Sequence, residues 1–201
     1  MVKRTPRAIL LCLVALASMT ALDLWTKSLA QRYLSREIPG LTREACEPDE
    51  QGRVSMQRGR VGQLVLIENY LELRYTENCG AAFGMLNDAP RWLRYGLFMT
   101  AAGVAVILLL GMFARGSGGP LFAFSVPFIA SGALGNLVDR VQHVYVVDFI
   151  RFHIGNVFEW PTFNVADSTI TVGVVLLLID GFRGQPTPAP EEQPVSGDRT
   201  G

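Results

Sequence analysis

The chain has 201 residues, 49% of them hydrophobic and only 18% charged, with 18 basic residues balancing 18 acidic ones and a mean hydropathy of +0.26. Soluble domains carry about 25% charge, so this balance points to a membrane protein, and the zero net charge removes the electrostatic argument for a nucleic-acid partner. Two histidines (His143 and His153), the absence of C-x-x-C and H-E-x-x-H patterns, and three irregularly spaced cysteines (Cys12, Cys46 and Cys79) argue against a metal site or a disulfide framework.

Four apolar segments reach the roughly 20 residues a helix needs to cross a bilayer. The first covers residues 8–30 and carries Asp23 and Lys27 towards its far end. Lys3, Arg4 and Arg7 precede it, and Ala15-Leu16-Ala17 mimics a signal-peptide cleavage site. The apolar run continues to Leu22, so the segment is read as a retained span. Leu11 is too bulky for a lipoprotein motif at Cys12, which is expected to pack as a small apolar residue. Basic residues ahead of this span place the N-terminus in the cytoplasm.

The loop of residues 31–91 then lies outside. It contains eight arginines and nine acids, and at about 60 residues it is long enough to escape the positive-inside rule. Residues 36–60 are polar and irregular and read as a flexible insertion. Residues 64–76, LVLIENYLELRYT, alternate as a hairpin does, with Glu68-Asn69 near the turn. Asn78-Cys79-Gly80-Ala81-Ala82-Phe83-Gly84 is a polar turn of small residues. Its glycines let backbone approach a ligand, although taken in isolation a tight turn is the better account of them. Cys46 and Cys79 lie on the same side, so a disulfide between them is conceivable, but with no geometry to bring them together it is not the expectation.

The second span covers residues 92–113, and Arg115 sits in the short Gly-rich turn that follows. The third covers 121–138 and ends in Asp139 and Arg140. Its small residues, Ser131-Gly132-Ala133 and Gly135, suit close helix packing, and Asn136 and Arg140 extend a polar strip along one face. Residues 144–152, VYVVDFIRF, again alternate, with Val146, Asp148, Ile150 and Phe152 on one face. The fourth span covers 165–182. Asn164 is its expected N-cap, and Asp167 stands in its first turn, where the helix dipole favours an acid. Residues 184–201 form a Pro- and Glu-rich tail that cannot bury a core.

The acids therefore gather at one membrane face, with Asp148 and Asp167 separated by 19 positions across a short connection. Carboxylates at such an edge are costly unless paired, wet or functional. Two that share a site split their proton affinities, so that one can take a proton from water while the other gives one to a carbonyl. Spacing alone equally allows a proton relay or helix-end ion pairs involving Arg140 or Arg151. Snorkelling alone would also account for Lys27 and Arg140.

Five blocks taken together resemble one family. Asp23-Leu24-Trp25-Thr26-Lys27, Asn78 to Phe83, Gly132 to Arg140, Val147-Asp148-Phe149 and Phe163 to Ser168 occur in the order found in bacterial lipoprotein signal peptidases, also called signal peptidase II. The resemblance spans most of residues 8–182. It implies four transmembrane helices with a small extracytoplasmic β-cradle, hence a mainly α membrane protein. It also implies an aspartic endopeptidase that removes signal peptides from diacylglyceryl-modified prolipoproteins, cleaving before the lipidated cysteine without metal or cofactor.

On that pattern Asp148 and Asp167 form the catalytic pair. Asn78, Gly80, Asn136, Arg140 and Asn164 shape the substrate pocket, while Asp139, Asp23 and Lys27 are supporting residues. Residues 1–183 then form the peptidase domain, with cradle and loops at 61–91 and 142–163 and a disordered cytoplasmic tail at 184–201. The expected setting is the bacterial inner membrane, with both termini cytoplasmic, the site at the outer face, membrane lipids as neighbours and a single chain holding a whole site. The stretch 36–60 is longer than the family pattern.

Overall fold

The structure is a computed structural model that describes residues 4–42, 44–47, 54, 56–80 and 90–183. The segment Ala81 to Gly84, part of the insertion and the tail thus lie outside the described residues. Among the described residues, four helices are long and apolar enough to cross a membrane: α1 (Pro6–Leu34), α2 (Arg91–Ala114), α3 (Pro120–His143) and α4 (Val165–Phe182). The same residues form the strands β1 (Ser35–Glu37), β2 (Arg58–Arg60), β3 (Gln63–Ile67), β4 (Leu71–Asn78), β5 (Val146–Ile154) and β6 (Phe158–Glu159).

α3 is the central helix. Half of its most apolar window is buried, against 17% or less for the other three, and it packs against α1, α2 and α4. The small residues expected to allow close packing do so. A Cβ on Gly132 would lie 2.3 Å from the Ala166 carbonyl oxygen of α4, and one on Gly173 of α4 would lie 2.6 Å from Ile129 of α3. Leucines and valines on the outer sides of α1, α2 and α4 stay exposed, as lipid-facing side chains must. At the end of the bundle where α1 begins, Cys12 packs against Phe113, Phe122 and Val126, the apolar role read for it.

At the other end, β3, β4, β5 and β6 form one antiparallel sheet in that order, and β1 pairs with β2 in a separate ladder. The turn between β3 and β4 falls where Glu68-Asn69 indicated, with Asn69 at φ 64°. The first four residues of β5 are all buried, because the strand lies between the rest of the cradle and the helix ends. Tyr75, Tyr145, Val147 and Phe149 form the core there, with Ala30 of α1.

Three expectations are corrected. Residues 36–60 do not leave the sheet as a wholly irregular insertion, since β1 and β2 close its base through the register Ser35–Arg60, Arg36–Gly59 and Glu37–Arg58. Cys46 and Cys79 are joined in a disulfide across 33 positions, a closeness no local pattern could reveal. The third helix continues past Val138 to His143, so Asp139 and Arg140 lie inside it rather than at its end. It stops at Val144, which takes φ 71° to turn the chain into β5. That conformation is unfavourable for a β-branched residue and is carried here by the surrounding packing.

Candidate active site

Asp148 and Asp167 meet because the chain ahead of α4 is stitched to β5. Phe163 forms an isolated bridge with Ile150, with Ile150 N–H donating to the Phe163 carbonyl at 2.8 Å and Phe163 N–H returning to Ile150 at 3.0 Å. α4 starts immediately afterwards, so its first turn stands beside the buried half of β5. Asn164 caps the helix: its Oδ1 accepts the Asp167 N–H at 2.9 Å, while Asp167 Oδ2 accepts the Asn164 N–H at 3.2 Å. The N-cap role expected of Asn164 is thus filled, and Asp167 completes a reciprocal capping box.

Both carboxylates line a cavity of about 600 Å³, together with Asn78, Gly80, Asn136 and Arg140. Three asparagines supply its donors. Asn164 Nδ2 donates to Asp148 Oδ1 at 2.6 Å and Asn78 Nδ2 to Asp148 Oδ2 at 2.9 Å, while Asn136 Nδ2 donates to Asp167 Oδ1 at 2.9 Å.

In each case the amide's orientation is forced, because its oxygen is already occupied by a group that can only donate. Gly80 N–H takes Asn78 Oδ1 at 3.0 Å, Asp167 N–H takes Asn164 Oδ1, and the Lys27 ammonium takes Asn136 Oδ1 at 2.9 Å. The NH2 groups are left to face the carboxylates. Asp148 is 1% exposed, and burial first and the Asp167 charge second push its carboxyl well above the ordinary carboxylate range. The Asn78 and Asn164 hydrogen bonds and the more distant Lys27 charge offset part of that rise.

Behind the cavity lies a buried charge triad. Lys27 Nζ stands 2.8 Å from Asp23 Oδ2, one helical turn away, and 3.1 Å from Asp139 Oδ2 on α3. All three residues are 3% exposed or less, so Lys27 does not snorkel to an interface. Its aligned N–H bond goes to Asn136, and the approach to Asp23 Oδ2 is an ion pair without hydrogen-bond geometry. The acids in turn hold backbone: Asp23 Oδ1 accepts the Ala166 N–H of α4 at 2.8 Å, and Asp139 Oδ2 accepts the Val147 N–H of β5 at 2.9 Å. The triad therefore fixes the residues immediately preceding both Asp148 and Asp167. The sequence placed Asp23, Lys27 and Asp139 at one membrane face without indicating this role.

Arg140 lies at the cavity wall, donating to the Gly80 carbonyl at 3.3 Å and the Asn136 carbonyl at 3.4 Å, with its guanidinium 4.7 Å from the Phe98 ring centroid. Trp160, Phe163 and Ile170 add an apolar side to the cavity. Sequence reasoning passed over Arg94 of α2, which is 3% exposed and donates to the Cys46 carbonyl at 2.9 Å. The available signal was an arginine beside an uninterrupted apolar run. Among the described residues no group of three His, Cys, Asp or Glu side chains could hold a metal ion.

Comparison with known proteins gives concordant results. Residues 15–183 match the family described as Signal peptidase (SPase) II. A lipoprotein signal peptidase of Cupriavidus taiwanensis is 44% identical over 118 residues, covering 58% of this chain and 65% of that protein. One of Salmonella newport is 40% identical over 132 residues, covering 66% of this chain and 79% of that protein. Two solved structures of bacterial membrane enzymes superpose with TM-scores of 0.64 and 0.63 at 24% identity. They cover 97% and 92% of this chain and 99% of each of those, and they share its fold.

Proposed function

Since the chain belongs to the signal peptidase II family, we propose that it removes the signal peptide from diacylglyceryl-modified prolipoproteins, before the lipidated cysteine, by an aspartic mechanism at Asp148 and Asp167. The observation that carries this reading is the cavity in which two carboxylates from different elements are each gripped by oriented amide N–H groups.

The pair shares one proton in its resting state. Burial and the neighbouring Asp167 charge favour that proton on Asp148, which leaves Asp167 to act as the base. Asp167 takes a proton from water as the water oxygen bonds to the scissile carbonyl carbon. Asp148 gives its proton to the carbonyl oxygen, so no free oxyanion accumulates. The tetrahedral adduct then collapses: the C–N bond breaks, the nitrogen takes the proton held by Asp167, and the hydroxyl proton returns to Asp148. Arg140, beside Phe98 and the Gly80 carbonyl, holds the cavity wall against which the extended peptide lies.

The site faces outside, with both termini in the cytoplasm of a bacterial inner-membrane protein. Two independent features support this orientation. Arg4 and Arg7 flank the start of α1 at the end opposite the cradle, and the cradle end holds a disulfide, which persists in oxidising compartments. One chain supplies every group of the site, so a monomer surrounded by lipid suffices, with the substrate's acyl chains remaining in the bilayer.

The test is prolipoprotein processing by the purified protein in liposomes. Asp148→Asn and Asp167→Asn should each lower turnover by about 10²–10⁴-fold, the usual worth of a positioned acid or base, with the melting transition retained. Wild-type cleavage by either folded variant would refute the assignment.

A further inference from the structure

Asn78 is the last residue of β4, paired with Val146, and beyond it the sheet no longer holds the chain through Cys79 and Gly80. Yet Asn78 has a demanding task, since its amide must present Nδ2 to Asp148 while Oδ1 receives the Gly80 N–H. The position of Gly80 therefore sets the side chain of Asn78.

Two restraints converge on the intervening residue. Cys79 is bonded to Cys46 of the outer segment, and the Arg94 guanidinium reaches both half-cystines, at 2.9 Å to the Cys46 carbonyl and 3.5 Å to that of Cys79. Arg94 is 3% exposed, and its Nε has no acceptor among the described residues, so its charge is satisfied through these carbonyls. A third tie, from Arg140 to the Gly80 carbonyl, leads back to the cavity.

We propose that the Cys46–Cys79 disulfide and Arg94 form a brace that positions Asn78 against Asp148, so that Cys46, distant in sequence, helps set the geometry of the carboxylate pair. This rests on the reading of Asp148 as one of the two catalytic acids. The cysteines and Arg94 are positioning residues, acting through Asn78 and Gly80. Opening the brace frees Cys79, lets Gly80 shift and weakens the Asn78 bond that helps Asp148 carry charge. The other charged groups around Asp148 are Asp167 on α4, Arg140 and Asp139 on α3, Lys27 on α1 and Glu77 on β4, and the brace touches none of them except Arg140, through Gly80.

The experiment compares three proteins in liposomes with a prolipoprotein substrate: wild type, the double variant Cys46→Ala/Cys79→Ala, and Arg94→Gln. A fourth sample is folded wild type reduced by a phosphine and alkylated, which covers the case in which the double variant does not fold. The expected result is a fall in kcat of about tenfold, the worth of one hydrogen bond to a charged group, with KM within about twofold. The pH–rate profile should also move upward, because a carboxyl that loses a donor to its charged form binds its proton more tightly. A kcat and pH profile equal to wild type overturns the brace. So does a fall in rate with an unmoved profile, which indicates only a smaller folded fraction. Asp148→Asn run alongside separates the two ideas. If it cleaves normally, the catalytic reading fails; if it is inactive while the opened disulfide leaves rate and profile unchanged, only the brace fails.

Discussion

Lys27→Met is the substitution that most directly probes how the site is held. Methionine keeps much of the apolar stem and removes only the ammonium, which stands 2.8 Å from Asp23 Oδ2, 3.1 Å from Asp139 Oδ2 and 2.9 Å from Asn136 Oδ1. Both acids are 3% exposed or less, so removal leaves two carboxylates in apolar surroundings without a counter-charge. Breaking a buried ion pair from one side costs about 3–5 kcal/mol. At roughly 2–4 °C per kcal/mol for a chain of this size, the thermal midpoint in detergent should drop by on the order of 10 °C. Adding Asp23→Asn removes one of the stranded charges while keeping an oxygen to accept the Ala166 N–H, and should recover about half of the loss. Activity should fall further than stability explains, because Asn136 loses the donor that fixes its amide towards Asp167. The reasoning fails if Lys27→Met melts within about 1 kcal/mol of wild type, or if adding Asp23→Asn lowers stability further.

Helix packing and the protonation of Asp148 can be tested in the same way. Gly132→Ala places a methyl 2.3 Å from the Ala166 carbonyl oxygen, whereas Gly103→Ala on α2 meets open space; the first should cost about 1–3 kcal/mol by overpacking and the second should leave the melt unchanged. Asp148 binds its proton more tightly in the folded state than in the unfolded one. The stability this contributes is complete below the ordinary carboxylate pKa of about 3.9 and is lost as pH rises through the raised folded-state value. Melting temperature should therefore decline towards alkaline pH, and Asp148→Asn should flatten the decline; an identical slope in the variant would rule Asp148 out as its source.

How much of this was legible in the sequence depends on whether the signal is local. The second and fourth spans were readable to within one residue because apolar composition over about 20 positions is a local property. The β3–β4 hairpin was readable from its alternation and Glu68-Asn69, and the helix cap from an asparagine standing just ahead of an apolar run. The length of α3 was underestimated because Asp139 and Arg140 resemble the end of a span, yet Asp139 is paired inside the fold and its charge does not terminate the helix. The disulfide, the buried Arg94 and the triad around Lys27 depend on residues from about 30 to more than 100 positions apart. Nothing in a local window ranks such contacts. The family resemblance supplied the identities of Asp23, Lys27 and Asn136, but not the reason for them.

That reason can be argued from donors and acceptors. A cation in direct contact with either carboxylate would favour its ionised form, and Arg140, although it lines the cavity, directs N–H groups to the Gly80 and Asn136 carbonyls. The nearest lysine instead spends its charge on Asp23 and Asp139 and reaches the pair only through the amide of Asn136. Asn78 and Asn164 likewise bring neutral N–H groups to Asp148. Neutral donors stabilise a carboxylate without forbidding its protonated form, which allows one shared proton to remain in the pair. Each asparagine needs a separate anchor for its oxygen, and the three anchors come from a loop backbone, a helix N-terminus and a buried lysine. A two-acid site is thus tied to three distant parts of the chain, and losing any one anchor should allow an amide to flip and present an oxygen to a carboxylate.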